Sequence, residues 1–197
     1  LAFLLLITSS ITATAQSLPS VSTCLKNGYS NLKNRRAIVA AVINKETAEI
    51  LNFGSGSADQ LFEIGSITKT FTATLLAQAA TEGRLDILSP IPDTYQKAGF
   101  KITYKDLATH TSGIIAGIFP EFKSSNDLLP FDGLTIPRFK ELYAKTPLAD
   151  SPGSKFAYSN MGISLLGLVL SETAKIPFQR LVEEKIFEPL GMKSSYF

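Results

Sequence analysis

The sequence predicts an α/β sheet that passes into an all-helical subdomain. Three observations carry this. Two short β-rich runs, "AIVAAVI" (Ala37 to Ile43) and "EILNF" (Glu49 to Phe53), are joined by the polar "NKETA" and read as a β-hairpin. From Ser66 the apolar period changes to that of a helix. From Arg84 onward, helical patterns alternate with irregular loops that carry prolines. At 197 residues and 45% apolar, the chain is long enough to bury a sizeable core. Its net charge of +2 comes from interspersed Lys and Arg without basic runs. That excludes the footprint of a nucleic-acid binder and favours a small-molecule or cell-surface substrate.

Taken in order, the first fifteen residues, "LAFLLLITSSITATA", hold an apolar run at Leu1 to Ile7, small polar residues, and an A-x-A pair at Ala13 and Ala15. This is the pattern of a secretory signal peptide, with cleavage expected before Gln16 and a secreted or periplasmic product. It lacks an initiator Met and a basic n-region, so residues 1–15 read as a partial signal peptide. A membrane anchor would need about 20 apolar residues, and this run is far shorter. Residues 16–197 read as one domain, with its sheet part at 36–66 and its mainly helical part at 67–197. One cysteine, Cys24, and one histidine, His110, rule out a Cys/His zinc site and an intramolecular disulfide. Cys24 reads as an ordinary thiol, and no metal or cofactor is called for.

After the hairpin, "GSGSADQ" is a loop and Leu61 to Ile64 a short strand. A helix follows, in which Ile67, Phe71, Leu75 and Ala79 recur at i+4 until Gly83 ends it as a C′ glycine. Ser66 is expected at or beside its N-cap. Thr103 and Asp106 frame a capping-box start for "YKDLATH", which is expected to stop at Gly113. Past a loop with Pro120 and Pro130, Pro137 is a first-turn residue for "PRFKELYAK". The turn "DSPGSKFAYSN" precedes an apolar helix at Met161 to Ala174. The last helix opens at Pro177 and shows Phe178, Leu181, Val182 and Ile186 on one face before "EPLGM" breaks it. Gly162 and Gly167 read as close-packing glycines, Tyr104 and Tyr143 as core or surface aromatics, and His110 as a structural residue at a helix end. No G-x-S-x-G elbow exists to partner His110 in a triad.

The chemistry concentrates at Ser66 and Lys69. A serine hydroxyl is a poor nucleophile until a nearby base takes its proton, and residues three apart share a helix face. Lysine acts as a base only when neutral, and the positive end of a helix is a poor place for a resting ammonium. As a bare pattern S-x-x-K is weak, because "SNLK" (Ser30 to Lys33) also matches it. The Y-x-N pattern likewise occurs at both Tyr29 to Asn31 and Tyr158 to Asn160. In the N-terminal copy the two patterns overlap in "GYSNLK", so one serine would have to serve both. Ser66 differs in having a strand before it, an apolar helix after it, and a separate Y-x-N at a later loop-to-helix junction.

"FEIGSITKTFTA" together with "PGSKFAYSNMG" resembles the penicillin-recognising serine hydrolases: class C β-lactamases, D-Ala-D-Ala carboxypeptidases, and related esterases and D-amino acid peptidases. "EGRLDILSPI", "LATHTSGI" and "EPLGMKSSYF" are similar to members of the same family, and the likeness runs from about Ala37 to the end of the chain. It implies a β-lactamase/transpeptidase-like fold and an acyl-enzyme on Ser66, with Lys69 as the amine partner. Tyr158 would be the phenolic general acid/base, and Asn160 would hydrogen-bond the substrate amide and help hold Lys69. A phenolate beside an ammonium is mutually stabilised, so such a tyrosine can shuttle protons near neutral pH. The Ser66 backbone N–H would supply half of an oxyanion hole.

The family's third motif, Lys or His followed by Ser/Thr and Gly, is absent after Y-x-N. "HTSG" at His110 precedes Y-x-N and carries an extra residue. The expectation is a C-terminally truncated chain, with the third motif and the rest of the sheet beyond Phe197. No E-x-E-L-N pattern is present, which argues against a class A β-lactamase. The sequence leaves open whether β-lactams, D-Ala-D-Ala-type peptides or carboxylic esters are hydrolysed. It also leaves open a catalytically silent scaffold that binds cell-wall peptide, a reading opposed by the joint presence of Ser66, Lys69, Tyr158 and Asn160.

Overall fold

The computed structural model describes residues 20–31, 38–43, 45, 48–57, 59–117, 119–124 and 131–197. The expected signal peptide lies outside them, as do parts of the hairpin turn and of the proline loop. Contacts divide the chain into two compact units, 1–65 and 66–197.

In the first unit a helix absent from the sequence reading, α1 (Val21–Ser30), opens on Ser20, whose hydroxyl accepts from the Thr23 N–H. The expected hairpin is present as β1 (Ile38–Ile43) and β2 (Ala48–Phe53), antiparallel with Ile38 opposite Phe53 and Ile43 opposite Ala48. The Tyr29 and Phe53 rings, 5.4 Å apart, pack α1 onto β2. The expected strand at Leu61 to Ile64 is not formed. A strand exists only through ladder partners, and among the described residues the sheet has two strands; Leu61 is left 80% exposed.

The second unit is helical, as its period predicts. A 3-10 turn, Gly65–Ile67, leads into α2 (Thr68–Thr81), which buries Thr72, Leu75, Leu76 and Ala79. Gly83 ends it with φ +69°: its N–H reaches the Ala80 carbonyl (3.0 Å), and the Arg84 N–H reaches that of Ala79 (2.9 Å). This is the paired closure a left-handed C′ residue permits. Next come α3 (Tyr104–Ala108), α4 (Ile136–Lys145), α5 (Asn160–Ala174) and α6 (Phe178–Val182). The capping box on α3 is reciprocal, with Asp106 N–H to Thr103 Oγ1 (3.1 Å) and Thr103 N–H to Asp106 Oδ2 (2.9 Å). However, α3 is shorter than predicted. His110, not Gly113, takes the left-handed conformation (φ 58°) just past its end, because Asp106 also draws in the following loop through the Thr111 hydroxyl and N–H.

The core of this unit is α5, which buries Met161, Gly162, Ile163, Leu165, Leu166, Gly167, Val169 and Leu170. Leu165, Leu166 and Val169 are fully buried, and α2, α3 and α6 all contact the helix. Tyr104 and Tyr143 are buried in the same core. Gly167 faces the Phe178 ring, where a Cβ would sit 3.1 Å from it, which matches the close-packing expectation; Gly162 faces the Ser112 hydroxyl of the α3–α4 loop instead. After α6 the chain widens into a π-turn over Glu183–Phe187, closed by Glu188 N–H to Glu183 O (2.9 Å). The widening puts Ile186 and Phe187 on the face already occupied by Leu181 and Val182, all four buried. An α-helical step of five residues would turn Ile186 well away from Leu181.

Two glycines with positive φ should respond differently to a methyl group. A Cβ on Gly83 meets nothing within 4 Å, whereas one on Gly113 (φ +73°) would lie 1.9 Å from the Asp150 carbonyl oxygen. Gly83→Ala is expected to cost about 1 kcal/mol. Gly113→Ala is expected to cost about 2–5 kcal/mol, because steric overlap adds to the backbone penalty. Urea unfolding of the two variants checks the difference; equal costs would show that Asp150 yields freely.

Candidate active site

Ser66 occupies the 3-10 turn ahead of α2, one position outside the N-cap, Ile67, so it sits beside the cap as expected. Lys69 follows in the first turn of the α-helix. The spacing brings the Lys69 Nζ to 3.0 Å from Ser66 Oγ, as donor. Tyr158 arrives from the other end of the unit. It precedes Ser159, the N-cap of α5, and its hydroxyl donates to the same Ser66 oxygen at 2.8 Å. The Lys69 Nζ also stands 4.9 Å from the centroid of the Tyr158 ring. The Ser66 oxygen thus meets an amine from three residues away and a phenol from 92 residues away.

The electrostatics follow from this geometry. The Lys69 side chain, and after it the Ser66 hydroxyl, hold the Tyr158 phenol below its ordinary pKa, because both favour the phenolate. The starts of α2 and α5 add their positive ends. Ser66 is exposed and Tyr158 is 42% exposed, so the Ser66 hydroxyl is open to solvent.

Of the four residues singled out in the sequence, Ser66, Lys69 and Tyr158 meet. Asn160 is the first residue of α5, half-buried, and no hydrogen bond joins its side chain to Lys69 among the described residues. The competing copy is used differently. Ser30 is the last residue of α1 and donates to the Asn27 carbonyl (2.9 Å), while Lys33 lies outside the described residues.

Two residues at the site escaped the sequence reading. Ser159, the middle of Y-x-N, is buried; its hydroxyl accepts from Gly162 N–H (3.0 Å) and donates to the Ile115 carbonyl (2.7 Å). Its position immediately before an apolar helix is the signal that could have marked it as an N-cap. His110, read as a helix-end residue, also lies against Tyr158, with ring centroids 4.6 Å apart. Nothing in its spacing signals that. Burial and then the charge on Lys69 hold its imidazole below the ordinary value. Among the described residues no group of three or more His, Cys, Asp or Glu is placed to hold a metal. None of the described helices is by itself long and apolar enough to cross a membrane.

In this helical unit a serine, a lysine and a tyrosine converge on one oxygen, the Ser66 Oγ. The beta-lactamase family model matches residues 28–197, and the chain belongs to that family. It is 32% identical over 140 residues to a beta-lactamase of Providencia stuartii, covering 69% of this chain and 34% of the relative. It is 28% identical over 152 residues to a putative D-alanyl-D-alanine carboxypeptidase of Salmonella agona, covering 72% and 35%. The structure of a beta-lactamase/D-alanine carboxypeptidase from Yersinia pestis, complexed with citrate, superposes with TM-score 0.66 at 28% identity, covering 78% of this chain and 47% of that one. The fold is thus of the β-lactamase/transpeptidase-like kind. The chain spans about a third of the length of these curated relatives.

If Lys69 stabilises the phenolate, removing its charge must make Tyr158 harder to ionise. Lys69→Met is expected to raise the Tyr158 pKa toward or above the ordinary phenol value of about 10. Carbon-13 NMR of ring-labelled tyrosine, assigned with Tyr158→Phe, reads this directly. An unmoved titration would remove Lys69 from the account.

Proposed function

We propose that this chain carries the nucleophile of an exported serine hydrolase that acts through an acyl-enzyme on Ser66, on β-lactams or D-Ala-D-Ala-type peptides. The observation that carries the reading is the meeting of Lys69 Nζ and Tyr158 OH at Ser66 Oγ, 3.0 and 2.8 Å away. The names of the related proteins support the substrate class, and the leader-like "LAFLLLITSSITATA" supports export.

In this reading the ionised Tyr158 takes the Ser66 proton as Oγ attacks the carbonyl carbon, while the Lys69 charge stabilises the phenolate. The developing oxyanion faces the Ser66 N–H, one of the unpaired donors at a helix start. Asn160 hydrogen-bonds the substrate amide. When the tetrahedral adduct collapses, the C–N bond breaks and the departing nitrogen takes the proton back from Tyr158. Water then cleaves the Ser66 ester, releasing the acid and restoring the serine.

Two experiments test this. Ser66→Ala is expected to abolish covalent labelling by a fluorescent penicillin, whereas Ser30→Ala retains it; labelling that persists in Ser66→Ala refutes the nucleophile. Tyr158→Phe is expected to lower turnover of nitrocefin about 10²–10⁴-fold, the usual worth of a positioned acid/base, with the fold intact. Near-wild-type turnover across the pH range would reduce Tyr158 to a packing residue.

A further inference from the structure

We propose that His110 is a positioning residue for Tyr158, holding the phenol on Ser66 through its ring, its Nδ1 and its backbone carbonyl at once. The inference rests on the acyl-enzyme reading for its consequence in rate, but its geometry stands independently. The backbone on both sides of Tyr158 is tied to this one residue: the Ala157 N–H donates to the His110 carbonyl at 2.8 Å, and the Ser159 N–H donates to His110 Nδ1 at 3.1 Å. Between these two bonds the imidazole lies 4.6 Å from the phenol ring at 37°, with Phe156 edge-on to its other neighbourhood at 5.9 Å and 88°. Tyr158 is 42% exposed, and a phenol displaced by about 1 Å loses its line to the serine oxygen.

The bond to Ser159 also fixes the chemical state of the ring. An imidazole that accepts at Nδ1 is neutral and carries its proton on Nε2. The depression of its pKa by burial and by Lys69 favours that same state. A protonated ring would set an N–H against the Ser159 N–H and open the clamp beneath Tyr158.

A helix-end role and a positioning role make opposite forecasts for glycine. His110 has φ 58°, a conformation that glycine adopts without strain and that asparagine tolerates. If His110 served only to terminate α3, His110→Gly would keep both stability and rate. As a positioning residue, it requires His110→Gly to remain folded, relief of the left-handed backbone offsetting part of the lost Ser159 bond, yet be acylated by fluorescent penicillin about 10–100-fold more slowly. The Tyr158 titration, read by carbon-13 NMR, should at the same time move toward the ordinary phenol value. His110→Asn supplies an amide oxygen where Nδ1 stood, and should recover part of both. A His110→Gly protein with wild-type acylation and an unmoved Tyr158 titration overturns the inference. Should the wild-type protein not be labelled on Ser66 at all, the acyl-enzyme reading fails, while the Tyr158 titration in His110→Gly still decides the positioning role.

Discussion

The helical unit depends on one buried serine. Ser159 caps α5 through its hydroxyl, and the same oxygen donates to the Ile115 carbonyl. Its N–H donates to His110. The central helix is therefore pinned to the 109–115 loop at its first turn, and the loop in turn grips the chain before Tyr158 through Thr111 O to Gly153 N–H (2.8 Å) and Gly113 O to Ala149 N–H (2.7 Å). A buried hydroxyl that both accepts and donates is hard to replace, because losing either bond leaves a polar group unsatisfied in the interior. Tyr158 inherits its position from this arrangement. The phenol sits beside this hydrogen-bonded junction, although the ring itself is half open to solvent.

Two helix starts converge on Ser66, and this accounts for residue types that look misplaced by propensity. Lys69 in the first turn of α2 opposes the macrodipole, and neither α2 nor α5 places an acidic residue in its first turn. A carboxylate there would compete with the phenolate for the Lys69 charge and oppose an oxyanion at the Ser66 N–H. The positive potential is left for a reacting group to use. In the proposed acyl-enzyme reading, local helix stability yields here to the needs of the chemistry, as is expected where function overrides local consistency.

Much of this was legible in the sequence because it is local. The hairpin follows from two β-rich runs and the helices from their periods and caps; Gly83, the Thr103–Asp106 box and Pro137 each act within a few residues. Ser66 and Lys69 are neighbours on one helical turn, so their meeting could be read from spacing. What escaped is long-range or collective. The period of "YKDLATH" says nothing of Asp106 reaching into the next loop, so it predicts a longer α3 than the one that forms. The run at Leu61 to Ile64 has a strand's composition, but composition does not supply a pairing partner. The placing of the His110 ring beneath Tyr158 arises from packing between segments nearly fifty residues apart. α1 was missed because its weakly apolar "VSTCLKNGYS" is helical by virtue of a Ser20 cap and the Tyr29–Phe53 contact.

The π-turn after α6 has a consequence for tolerated chain length. Leu181, Val182, Ile186 and Phe187 form two adjacent pairs spaced by five residues. An α-helix presents such pairs on one face when they are spaced by four. Glu183–Phe187 therefore contains one residue more than the buried face requires. Deleting an exposed position within it, such as Lys185, would let the ordinary ladder close while both pairs stay inward. This segment can thus lose a single residue at little conformational cost, whereas a deletion within α5 would rotate half its buried side chains away from the core.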